Sequence, residues 1–144
     1  MVQRLLAWWQ SRVRRFRLGP LASKSDRQQL GDLGERLAVT HLERAGYVIE
    51  KRNVRYPVGE LDVVARDGGV LCFIEVRSAS STDWGGALAS ITYRKRRRVI
   101  RAAEWYLQHR PDAPEEVRFD VVAVQWAEQK EPTVELIKNA FNAE

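Results

Sequence analysis

The order of elements predicts an α/β or α+β layer fold, a mixed sheet with helices packed on it. Two observations carry this. Stretches of helical and strand periodicity follow one another as helix, three strands, helix, strand and a last element. The chain also has 144 residues, 44% of them hydrophobic, which is enough for one domain with a real core.

Residues 1–24 read as a basic amphipathic extension and linker, and residues 25–144 as the domain. In the extension Val2, Leu5, Leu6, Trp9, Val13 and Phe16 recur at helical spacing with arginines between them, until Gly19 and Pro20 break the pattern. Ser25 and Gln28 have the spacing of a capping box. Leu30, Leu33, Leu37, Ala38 and Ala45 then make a helical stripe that Gly46 ends as a C′ glycine. "YVIEKRNVR" is a strand closed by a loop at Pro57. "GELDVVARDGGVLCFIEVR", residues 59 to 77, is two strands around a turn. "SASSTDWGGAL" is small and polar, a loop in which Gly85 and Gly86 either permit close backbone approach or only make the loop flexible. Thr92 caps a second helix whose Val99, Ala103, Tyr106 and Leu107 share a face, and Pro111 and Pro114 end it. "VRFDVVAVQW" is a strand, and "PTVELIKNAF" is either a strand or a short helix.

A formal net charge of +5 makes anionic partners the natural expectation, nucleic acid first and an anionic membrane surface second. Arg4, Arg12, Arg14, Arg15 and Arg17 precede any acid, so the extension holds much of the imbalance. With Trp8 and Trp9 it suits a membrane-surface helix, a nucleic-acid arm or a tail ordered on binding. No apolar run is long enough to span a bilayer, and the arginines after "LLAWW" make a poor signal peptide. Cys72 is the one cysteine, so no internal disulfide can form. A cytoplasmic location is the default expectation.

Asp62, Glu75 and Arg77 put charges into apolar strands. Strand residues alternate faces, so the parity of the turn decides whether the acids meet. An even loop, either Asp67-Gly68 or the four residues Asp67 to Val70, brings Asp62 and Glu75 to one side. It leaves Leu61, Val63, Ala65, Val70, Cys72, Ile74 and Val76 as a wholly apolar opposite face. Two neighbouring carboxylates repel and need a cation, either Arg77 or a divalent metal. Ligation by carboxylates alone points to Mg²⁺ or Mn²⁺, with the backbone carbonyl of Val76 as a further oxygen ligand. Such a centre suits phosphodiester hydrolysis. Read alone, the three residues are a weak motif and fit a salt-bridged patch on a solvated sheet face better.

The stretches "GDLGERLAVTHLERAGY", "RNVRYPVGELDVVARDG", "LCFIEVRS", "GGALASITYRKRRRVIRAAEWYL", "RFDVVAV" and "IKNAF" occur in this order between about residues 28 and 142. Together they resemble the YraN-like family of uncharacterised bacterial proteins. That family is similar to Holliday-junction resolvases and the PD-(D/E)XK restriction-endonuclease-like superfamily. The resemblance implies a restriction-endonuclease-like α/β fold, a central mixed sheet flanked by helices, with the active centre on the hairpin. Residue by residue it implies that Glu35 is the helix acid, Asp62 the motif aspartate and Glu75 the second motif acid. Arg77 stands where superfamily nucleases carry lysine. Glu60, on the Asp62 face, is an auxiliary candidate. Arginine stays charged, so Arg77 cannot serve as a general base but can anchor a phosphate or orient a water.

Arg94, Lys95, Arg96, Arg97 and Arg98, followed by Arg101, open the second helix and are candidate phosphate contacts, or else a solvated helical face. Trp105, Tyr106 and Trp126 fit packing better than base stacking, and Asp120 fits a structural pair with Arg118. The leading expectation is a nucleic-acid-binding protein acting as a metal-dependent endonuclease on structured DNA or RNA. The alternatives are a non-catalytic nucleic-acid-binding module, or a scaffold that binds protein or membrane through basic helices. Resolvase relatives tend to dimerise, so a homodimer is a further expectation, although no stretch of the sequence marks an interface.

Overall fold

The computed structural model describes residues 24–79, 91–112, 114, 116–127 and 130–143. The basic extension with Trp8 and Trp9, and the loop stretch that holds Gly85 and Gly86, lie outside these residues. Helix α1 spans Lys24–Arg44. Ser25 lies inside it and is therefore not its cap. Leu33, Ala38, Val39 and Leu42 are its buried stripe, with Leu30 and Leu37 half-buried beside them, whereas Ala45 is exposed. The helix ends as expected at Gly46, whose φ of +93° suits glycine. The Gly46 N–H donates to the Glu43 carbonyl at 3.1 Å and the Tyr47 N–H to Leu42 at 3.0 Å. That is the Schellman pattern, and it satisfies carbonyls the helix would otherwise leave bare.

Strands β1 (Val48–Tyr56), β2 (Gly59–Asp67) and β3 (Val70–Ala79) follow as an antiparallel meander. Helix α2 (Tyr93–Gln108) lies on the crossover to β4 (Glu116–Ala127), which pairs parallel with β3. The Thr92 side chain caps α2 by accepting from the Lys95 N–H at 3.2 Å. The last element is a strand, β5 (Lys130–Phe141), antiparallel to β4. The sheet order is β1-β2-β3-β4-β5, mixed, with two helices. This is an α/β fold in keeping with a restriction-endonuclease-like architecture. No described helix is long and apolar enough to cross a membrane.

Alternation along the strands makes two cores, one on each face of the sheet. α1 covers Val63, Ala65, Cys72, Ile74, Val122, Val124 and Trp126. α2 brings Val99, Ile100, Ala102 and Ala103 onto Val64, Leu71, Phe73, Phe119 and Val121. Leu61 departs from the expected apolar face. It packs on the α2 side, whereas Val63 packs on the α1 side. Strict alternation would keep them together, so β2 turns over at Asp62. The residue facing that step on β1 is Asn53, at φ +51°.

Two carboxylates tie the elements together. Glu50 on β1 accepts from Arg110 beyond α2, from Arg66 on β2 at 2.8 Å and from the Tyr106 hydroxyl at 2.8 Å. Its hydrogen bonds to Arg110, then to Arg66 and Tyr106, hold its acid down at about 2 against the cost of burial. Asp120, fully buried, accepts from the Tyr47 hydroxyl at 2.9 Å, from Arg118 Nε at 2.7 Å and from the Asn139 N–H at 2.9 Å. A buried carboxylate so surrounded is a structural group, as its expected pairing with Arg118 implies. Trp105 lies against Tyr56 and stacks on His109, and Trp126 is buried, so the aromatics pack as expected. Finally, Gly59 lets β2 meet α2 closely: a Cβ there would fall 2.5 Å from the Arg98 carbonyl oxygen.

Candidate active site

The β2–β3 ladder begins at Asp67↔Val70, around a Gly68-Gly69 turn, and runs to Val63↔Ile74. Arg66 stands opposite Leu71, so the turn is even, with the register of the four-residue alternative. Beyond Val63, β2 continues with β1 as far as Gly59↔Tyr56 and leaves β3. A notch opens between the two strands, and Asp62 and Glu75 are the first residues in it.

Parting strands leave backbone donors without ladder acceptors. Asp62 meets this need: its Oδ2 accepts from the Val76 N–H at 2.9 Å. Val76 thus touches the notch through its N–H. Glu75 projects to the α2 side beside Phe73 and is only 3% exposed. Burial first, and then the charge of Asp62, push its acid up to about 7, while Lys95 pulls the other way. Lys95 Nζ sits 2.8 Å from Glu75 Oε1.

Glu35 reaches the same neighbourhood from α1, with its side chain 13% exposed. Burial raises its acid, Arg52 opposes this and Asp62 reinforces it. Arg52 Nε lies 3.8 Å from Glu35 Oε1, a Coulombic distance longer than a hydrogen bond. That oxygen is buried with no hydrogen-bond partner. Asp62 is therefore the middle carboxyl, felt by Glu75 on one side and Glu35 on the other. Among the described residues no three His, Cys, Asp or Glu side chains already form a metal-holding group.

Arg77 follows on β3, half-buried, opposite Ala123 of β4. Glu60 is exposed and pairs with Arg55 at 3.5 Å. The basic run splits by side. Arg94, Arg98 and Arg101 are exposed, Arg96 and Arg97 are half-buried, and Lys95 pairs with a notch carboxylate. Sequence reasoning placed Lys95 among the phosphate contacts and missed this position. Its only signal was a cation in the first turn of a helix, where the dipole disfavours it.

The donor set fits a hard divalent cation in kind. Asp62 and Glu75 offer carboxylate oxygens, and the orphaned Glu35 oxygen is a third acceptor nearby. In their present arrangement the ammonium of Lys95 supplies positive charge to Glu75.

Comparison with known proteins places these residues in a common frame. A family model described as "Uncharacterised protein family UPF0102" matches residues 34–124. That span includes Glu35, Asp62, Glu75, Arg77 and the basic run, and stops short of β5. A UPF0102 protein of Desulfosudis oleivorans is 44% identical over 119 residues, covering 83% of this chain and 94% of that relative. One from Dechloromonas aromatica is 46% identical over 114 residues, covering 79% and 89%. One from Moorella thermoacetica is 45% identical over 117 residues, covering 80% and 97%.

Proposed function

Because the chain belongs to uncharacterised protein family UPF0102, the YraN-like family its sequence resembles, we propose its function from the site itself: a nucleic-acid-binding protein that hydrolyses phosphodiester bonds with Mg²⁺ or Mn²⁺. The observation that carries this reading is Glu75, a buried carboxyl facing Asp62 in a notch, with its acid raised and a lysine against it. Carboxyls disfavoured in their charged form cluster at functional sites.

Asp62 and Glu75 would hold the cation, and Glu35 would accept a hydrogen bond from a water on the α1 side. A bound divalent ion supplies polarisation of the phosphoryl oxygen and a lowered pKa for a bound water. Arg77, permanently charged, contacts the phosphate and offsets charge that grows on it in the transition state. The exposed arginines of α2 hold the flanking backbone. The test is to incubate purified protein with branched, flapped, single-stranded and duplex substrates plus Mg²⁺ or Mn²⁺. Metal-dependent products that disappear in Asp62→Ala are expected. Identical products from the two proteins contradict the reading.

A second reading is a binding module that keeps the fold without cleaving. Lys95 favours it, because an ammonium on Glu75 already supplies charge that a metal would bring. That reading expects nucleic-acid affinity that falls with salt, and no products under any metal.

A further inference from the structure

α2 carries a second feature on the stripe next to Lys95. Tyr93, Arg96, Arg97 and Ile100 follow helical spacing and, with Ala140, Phe141 and Asn142 at the end of β5, line a cavity of about 280 Å³. That volume is at the small end of ligand pockets. Its lining holds two guanidinium groups and no acid. Among the described residues no carboxylate pairs with Arg97. Arg96 is pinned in place: its Nε donates to the Ile91 carbonyl at 3.1 Å, and its guanidinium lies 5.9 Å from the Phe141 ring centre. Tyr93 is 72% exposed, a large ring at the mouth without burial to explain it. Asn142, also exposed, offers an amide.

A positive cavity with an exposed aromatic ring at its mouth and an amide on its wall matches a planar base joined to a phosphate. We propose that this cavity binds one unpaired nucleotide, with the base against Tyr93 and the phosphate against Arg96 and Arg97. The inference deepens the nucleic-acid reading by naming the substrate class: strands with an unpaired base, held within the first two turns of the helix that also carries Lys95 to the notch. Stacking on an aromatic ring favours single strands without regard to sequence, because every base has a π-face. None of the notch carboxylates lines the cavity, and binding there needs no metal.

The test is binding measured in metal-free buffer with three probes: deoxyadenosine monophosphate, a short single-stranded oligonucleotide, and the blunt duplex of the same sequence. Wild type is expected to bind the mononucleotide saturably and the single strand more tightly than the duplex. Tyr93→Ala should weaken single-strand binding about tenfold and leave duplex binding nearly unchanged. Arg97→Ala should reduce the salt dependence of single-strand binding. Both positions are accessible enough for substitution, and the circular dichroism melt of each variant checks its fold. Equal losses on single strand and duplex, or mononucleotide binding that is absent or indifferent to Tyr93, overturn the inference. Because no metal is present and no cleavage is read, these outcomes are separate from the Asp62→Ala test of hydrolysis.

Discussion

Glu75 is where the electrostatics of the notch can be isolated. Burial and Asp62 raise its acid from 4.5 to about 7 in the folded protein. Between those values the folded state keeps a proton that the unfolded chain has released. The contribution of this group to stability is therefore complete below about 4.5 and lost as pH rises through about 7. Glu75→Gln stays neutral and lacks this slope. Across the window the variant should gain about 1–3 kcal/mol relative to wild type, read by urea denaturation in metal-free buffer. A wild type whose stability runs parallel to that of the variant contradicts the assignment. Residue-level patterning showed part of this site directly. Turn parity set Asp62 opposite Glu75, because an even loop fixes the register of β2 against β3 up to Val63↔Ile74. Lys95 was not readable in the same way. Its partner lies on another element, and only the docking of α2 on the sheet brings the two within 2.8 Å.

At the scale of elements, the contact between β2 and α2 keeps Lys95 over the notch. Gly59 is the tight point, since a Cβ would meet backbone, the Arg98 carbonyl oxygen, at 2.5 Å. Backbone cannot swing aside as a side-chain tip can. Gly59→Ala is expected to cost about 1–3 kcal/mol of stability by overpacking, measured by urea denaturation, and unchanged stability would show that the helix gives way freely. The elements themselves were largely legible because each has a local cause: Gly46 at a left-handed C′ position, Thr92 as an N-cap, paired prolines after α2. The failures also have local causes. β5 alternates through Val134 and Leu136 toward the α1 core, but its later residues pass through a register shift beside Asn139, at φ +52°. This interruption blurs the strand period, so strand and helix could not be separated. Leu61 was assigned to the wrong face because alternation assumes a regular strand, and β2 turns over at Asp62.

For the whole molecule, the fold explains why charge can be concentrated at one place. A five-stranded mixed sheet is covered on one face by α1 and on the other by α2. Glu35 comes from the first layer, Asp62 and Glu75 from the middle and Lys95 from the third, so the notch is assembled only when all three layers pack. The order of elements was enough to expect such a layered fold. It could not tell which strands part, because strand separation depends on register across β1, β2 and β3 together. The proposed function needs this notch to hold a divalent cation. It is tested most directly by a crystal structure of the protein soaked in Mn²⁺, with the ion located by its anomalous scattering. An ion held between Asp62 and Glu75, with the Lys95 ammonium moved off Glu75, is the expected result. A notch without manganese, in which Lys95 still pairs with Glu75, would contradict it.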